Sequence, residues 1–214
     1  MRKVILIIFG LIGLNCFSQN SEEKTVERLE GMFLSDPLSV SHLVDSIEKT
    51  TSDSSFLSKL WYMKAKSLLV KGDVESTMIL LDKVLRLSKE NENWEYLANA
   101  YNIKAIAFDR LDQKTEAISN YRKTIHVGEY LEDKSVLIKG LNNIALSFIE
   151  NNQLDSADLY IKRGISLTTK TSAPKDVFYF NMALTSLLLK QGKYQDVLDL
   201  EDQIDDVCLM ILEV

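Results

Sequence analysis

The sequence predicts an all-α protein, a solenoid of antiparallel helix pairs. Three observations predict it. Turn-forming residues recur at a fixed step of 40 residues. A repeated pattern of small and large side chains flanks each of them. Breakers are scarce, with Pro 2 and Gly 8 in 214 residues, and so few in so long a chain favour helices joined by short turns.

The bulk properties narrow the class. A hydrophobic content of 46% belongs to a globular chain rather than a disordered one. Lys+Arg 25 against Asp+Glu 31 leaves a net charge of −6. With no basic cluster, the chain lacks the positive footprint that phosphate backbones require, which argues against a nucleic-acid partner.

The N-terminus reads as an export signal over residues 1–18. Arg2 and Lys3 precede the apolar stretch Val4 to Leu14, which is short for a bilayer span. Cys16 and Ser18 supply small residues at the −3 and −1 positions of a cleavage site, so the mature chain is expected to start at Gln19. An alternative is lipid anchoring at Cys16, although Asn15 fits poorly before an acylated cysteine. The expected location is the periplasm, with lipid anchoring or secretion as alternatives. Cleavage removes two cations and no acid, taking the charge from −6 to −8, and leaves Cys208 without an internal disulfide partner. No integral span is expected in the mature chain.

Residues 19–53 are expected to hold a helical pair, at about 22–34 and 38–50. Asp36-Pro37 opens its second member with an N-cap and a proline at the first helical position. This pair lacks the small–large pattern and reads as a degenerate repeat or a cap.

Four repeats follow, over 54–93, 94–133, 134–173 and 174–214. Their turns centre on Gly72, Asp112, Asn152 and Gly192, residue types that tolerate a left-handed backbone. Seven residues before each turn stand Ala65, Ala105, Ala145 and Thr185, and four before it Leu68, Phe108, Phe148 and Leu188. Five after it stand Thr77, Ala117, Ala157 and Val197; nine after it, Leu81, Tyr121, Ile161 and Glu201. Small residues let two helices approach and large ones fill the grooves, so only Glu201 breaks the pattern. In the third repeat Leu141, Ile144, Ala145 and Phe148 recur at one-face helical spacing. The expected helices are 55–71, 74–90, 94–110, 114–129, 133–150, 154–169, 176–190 and 194–212. Pro174 is expected in a connection.

The pattern resembles the tetratricopeptide repeat (TPR) family over about residues 58–204. Trp61, Ala65, Leu68 and Gly72 carry the likeness in the first repeat; Tyr101, Ala105, Phe108, Ala117 and Tyr121 in the second; Leu141-Asn142-Asn143-Ile144-Ala145 and Ala157 in the third. The fourth is weaker, with Asn181, Thr185, Gly192 and Tyr194. The 40-residue step is similar to the longer-helix variant of bacterial peptide-responsive regulators and kinesin light chains. The resemblance implies a right-handed superhelical solenoid whose first helices line a concave face that binds a protein or peptide.

It also implies ligand-facing positions: Tyr62 and Lys66; Asn99, Asn102, Ile106 and Asp109; Lys139, Asn142 and Leu146; Tyr179 and Met182. Asn102 and Asn142 are equivalent, and an Asn carboxamide can donate to and accept from an extended backbone. The Lys/Asn clamp with which chaperone-binding members hold a terminal carboxylate is missing, because Tyr62 and Lys66 occupy its positions.

No catalytic, cofactor or metal site is expected. His42 and His126 are far apart in sequence, Cys208 has no histidine at a useful spacing, and there is no phosphate-cradling glycine loop. Asp202, Asp205 and Asp206 share a helical face, but carboxylates on one straight helix rarely converge on an ion. The expected function is therefore an exported binding scaffold. The alternative is a periplasmic sensor-type module of a bacterial signalling system, without its membrane span and output domain. Cys208 to Leu212 is an apolar run where a polar cap would be expected, which predicts self-association, docking on a partner, or a longer native chain.

Overall fold

A computed structural model describes residues 21–168, apart from residue 34, and residues 174–200. The signal segment, Cys16, the acidic run from Glu201 and the apolar end at Cys208 lie outside the described residues. Among the described residues every regular element is an α-helix. The helices are α1 (21–33), α2 (Pro37–Ile47), α3 (Ser54–Lys71), α4 (Val74–Glu90), α5 (Trp94–Arg110), α6 (Lys114–Tyr130), α7 (Lys134–Glu150), α8 (Leu154–Thr168), α9 (Pro174–Lys190) and α10, described over 194–200. Pro174 is not in a connection but opens α9, at a position where a missing N–H costs no helical hydrogen bond.

The four expected turn residues take the left-handed backbone, and two of the connections between helix pairs take it as well. Gly72, Asp112, Asn152 and Gly192 have positive φ, and so do Glu92 and Glu132. A left-handed residue thus closes each of these helices, at every twentieth position from Gly72 to Asn152 and again at Gly192. The hydrogen bonding is the same at all of these turns except that of Glu92, which keeps only its first bond, to Lys89 O at 3.3 Å. Asp112 N donates to Asp109 O at 3.0 Å and Gln113 N to Phe108 O at 2.9 Å; Asn152 and Gln153 repeat the pattern on Ile149 and Phe148. These paired bonds satisfy carbonyls that the helix end would otherwise orphan. The next residue often caps the following helix. Asp73 accepts from Ser76 N at 3.0 Å and Asp133 from Ser135 N at 2.8 Å. The N–H and hydroxyl of Ser76 hold the Asp73 carboxyl below its ordinary range.

The chain divides into two compact units, residues 1–92 and 93–214. In the first, Leu29, Val40, Val44, Leu60, Met63, Leu81 and Val84 are wholly buried. Ala65 and Thr77 meet where α3 and α4 approach, and both are wholly buried. Although α1 and α2 lack the small–large pattern, α2 docks on α3 through specific contacts. Trp61 Nε1 donates to Glu48 at 2.7 Å, Lys64 pairs with Asp45, and the Ser67 hydroxyl donates to the Pro37 carbonyl.

In the second unit the small residues Ala105, Ala117, Ala145 and Ala157 and the large Tyr121, Phe148 and Ile161 form one buried cluster with Leu141, Ile144 and Ile125. The fourth pair joins it through Phe180, Ala183 and Leu187. There the sizes are exchanged across the helix contact. A Cβ on Gly140 in α7 would meet Ile125 at 2.9 Å and Thr124 at 3.2 Å in α6. Forty residues on, the large partner is Phe180 in α9 and the small one Gly164 in α8, where a Cβ would lie 2.0 Å from the Phe180 ring. The bulk moves to the other helix, and a glycine opposite makes room for it, as close packing requires.

Candidate functional site

The first helices of successive pairs in the second unit, α5, α7 and α9, present most of the residues expected to face a ligand. A ladder of polar contacts joins α5 to α7. Lys139 Nζ donates to Asn99 Oδ1 at 2.8 Å, Asn143 Nδ2 to Asn102 Oδ1 at 2.9 Å, and Ser147 Oγ to Asp109 Oδ1 at 2.9 Å. The paired residues are 40, 41 and 38 apart, so the repeat itself brings them to the same height on neighbouring helices. Asn99 and Asn102 are buried at 7% and 4% exposure. Their acceptor oxygens serve the helix contact.

Asn142 stands in the place of Asn102 one repeat later, and its circumstances differ. Its Oδ1 is buried with no hydrogen-bond partner. The physical reason is one residue on α9. Asn102 receives its bond from the residue 41 positions on, Asn143; 41 positions beyond Asn142 stands Ala183, which has no side-chain donor. A buried carbonyl oxygen without a donor is costly, so it marks a place for one.

Two hollows flank this ladder. One, of about 390 Å³, lies between α5 and α7 with Tyr121 of α6 behind it. Ile106 and Leu146 form its apolar walls, Asp109 and Glu150 supply carboxylates, and Arg110 borders it. Tyr121 donates its hydroxyl to Asp109 Oδ2 at 2.9 Å. Burial, and then the Asp109 charge, push the Tyr121 pKa well above the ordinary phenol value, so the hydroxyl keeps its proton and remains a donor. The second hollow, of about 420 Å³, lies between α7 and α9 and is lined by Lys139, Asn142, Asp176 and Tyr179 among others. Asn143 borders both.

The expected residues therefore separate into groups. Ile106, Asp109 and Leu146 line the first hollow; Lys139, Asn142 and Tyr179 line the second. Met182 lies one helical turn beyond Tyr179, and both are exposed, at 45% and 53%. Tyr62 and Lys66 belong to the first unit, where Tyr62 is buried and the Lys66 ammonium lies 4.2 Å from the centre of the Phe33 ring. The sequence pattern did not bring out Asn143 or Ser147 as ladder members, and it assigned Tyr121 to the core alone. The partners lie 41 and 38 residues apart, so a strict 40-residue step sets Asn143 against Ile103 and Ser147 against Ala107 and misses both contacts.

Among the described residues no group of three or more His, Cys, Asp or Glu side chains is placed to hold a metal ion, and no helix is long and apolar enough to cross a membrane.

No family model and no curated protein matches the chain. Solved structures do. BtubC (BKLC) from P. vanneervenii aligns with a TM-score of 0.66 at 16% identity, over 91% of this chain and 91% of that one. The nearly identical TPR-like repeats from Podosopora anserina, described as kinesin light chain, align with a TM-score of 0.63 at 14% identity, over 90% and 95%. Aspartyl phosphate phosphatase F from Bacillus subtilis aligns at 0.70 and 19% over 77% of this chain, which spans 43% of the phosphatase. The chain has a TPR-like helical-repeat fold.

Proposed function

We propose that this protein is an exported binding scaffold that holds an extended peptide or protein segment along the face of α5, α7 and α9. The reading is carried by the orphaned Asn142 oxygen, a buried acceptor beside a hollow of about 420 Å³. An extended backbone supplies N–H donors at regular intervals, and one of them satisfies this oxygen. Exposed Tyr179 and Met182 extend the face with apolar surface on α9, suited to the side chains of such a segment. The TPR-like fold supports the same role, since stacked helix pairs offer extended binding surfaces. Export rests on the pattern of residues 1–18.

The test is affinity capture from a cell-envelope extract with the wild-type chain and with Asn142→Leu. The variant is expected to lose a partner that the wild type retains, while its melting temperature does not fall. Equal recovery of the same proteins by both chains would refute the assignment. Mass measurement of the protein released from producing cells tests export; a chain starting at Gln19 is the expected product.

A further inference from the structure

We infer that the hollow between α5 and α7 is a specificity pocket for a basic side chain, Lys or Arg, of the bound segment. This rests on the reading of the α5–α7–α9 face as the binding groove, and adds the chemistry of its occupant. Three observations carry it.

The first is shape and polarity. Ile106 and Leu146 wall a space of about 390 Å³ that has carboxylates at Asp109 and Glu150. Lys and Arg combine an apolar stem with a charged head, and a pocket with apolar walls and an anionic end matches both parts. The second is charge. Asp109 is held by two neutral hydroxyl donors, Tyr121 and Ser147, each at 2.9 Å. They fix the carboxylate in place and, being neutral, bring no positive charge of their own to it. Among the described residues, the ion pairs join neither Asp109 nor Glu150 to a cation. The third is continuity. Asn143 borders both this hollow and the one holding the Asn142 oxygen. A segment held at Asn142 by its backbone therefore passes the carboxylates with a neighbouring side chain. Asp109 is half-buried, and a partly desolvated carboxylate selects a cation and rejects an anion more strongly than an exposed charge does.

The test is selection from a phage-displayed random heptapeptide library on the full-length chain. Wild-type protein is expected to enrich peptides with Lys or Arg at one fixed position. Two variants then probe the pocket. Glu150 is exposed, so Glu150→Arg leaves the fold intact, and it should abolish the basic preference or turn it acidic. Asp109→Asn should weaken binding of a selected basic peptide about tenfold or more, with circular dichroism confirming that it folds; if it does not fold, Glu150→Arg decides alone. Enriched peptides with no basic preference, or a basic preference kept in Glu150→Arg, would overturn the inference while leaving the groove standing. Enrichment of no peptide at all would overturn the groove reading and this inference with it.

Discussion

At the scale of single residues, Asn102 and Asn142 show how much one neighbour decides. In sequence they are equivalent, and both were expected to hold a ligand. In the structure Asn102 Oδ1 accepts from Asn143 Nδ2 at 2.9 Å, whereas Asn142 Oδ1 is buried and unpaired. Hydrogen-bond energetics then predict opposite effects for the same substitution. Asn102→Leu removes a made bond and orphans the Asn143 amide, and should cost about 1–2 kcal/mol of stability. Asn142→Leu removes an orphan, and should raise stability by up to about 1 kcal/mol. Urea unfolding checks both, read as midpoint shifts at an unchanged slope. A loss of stability in both variants would show that Asn142 is satisfied in the folded chain. The contrast was not legible in advance, because it depends on which residue stands 41 positions downstream on another helix. Asn143 and Ala183 had no assigned role until the helix pairs were set side by side.

At the scale of elements, the helix spans from α3 to α9 were legible to within two residues, because the turn residues carry a strong local signal. Gly72, Asp112, Asn152 and Gly192 are types that accept positive φ, and all four adopt it. The turns at Glu92 and Glu132 have the same backbone but a residue type that gives no such signal, so the twenty-residue step was hidden inside the forty-residue one. Those two glutamates carry a left-handed strain that a glycine would not. Glu132→Gly should therefore stabilise the chain by about 1 kcal/mol, partly offset by the greater chain entropy of glycine in the unfolded state. A thermal or urea midpoint measures it. A decrease would mean that the glutamate side chain contributes more to the turn than its backbone strain costs.

At the scale of the molecule, the fold is legible where the identity of its residues is not. Alignments with solved TPR-like structures cover 91% and 90% of the chain at 16% and 14% identity, so what is shared is the fold rather than the residues themselves; within this chain too, small and large side chains trade places while the helix contact persists. Gly164 and Phe180 carry this furthest. The earlier pair sets Gly140 of α7 against Thr124 and Ile125 of α6; the later one sets Phe180 of α9 against Gly164 of α8. The small–large pattern did not place this contact, because it followed positions near the turns and this one lies mid-helix. In a repeat array each helix pair is held by its neighbours, so a fault at one contact should loosen what lies beyond it and spare what lies before. Gly164→Ala drives a methyl into the wholly buried Phe180 ring and should cost about 1–3 kcal/mol, the range for overpacking. Hydrogen exchange should then show faster opening in α9, with α5 and α6 protected as before. Phe180→Leu in the same chain should restore part of the loss, since contacting residues couple. Uniform loosening of α5 to α9 would instead show that the second unit opens as a single cooperative block, with no boundary at the α8–α9 contact.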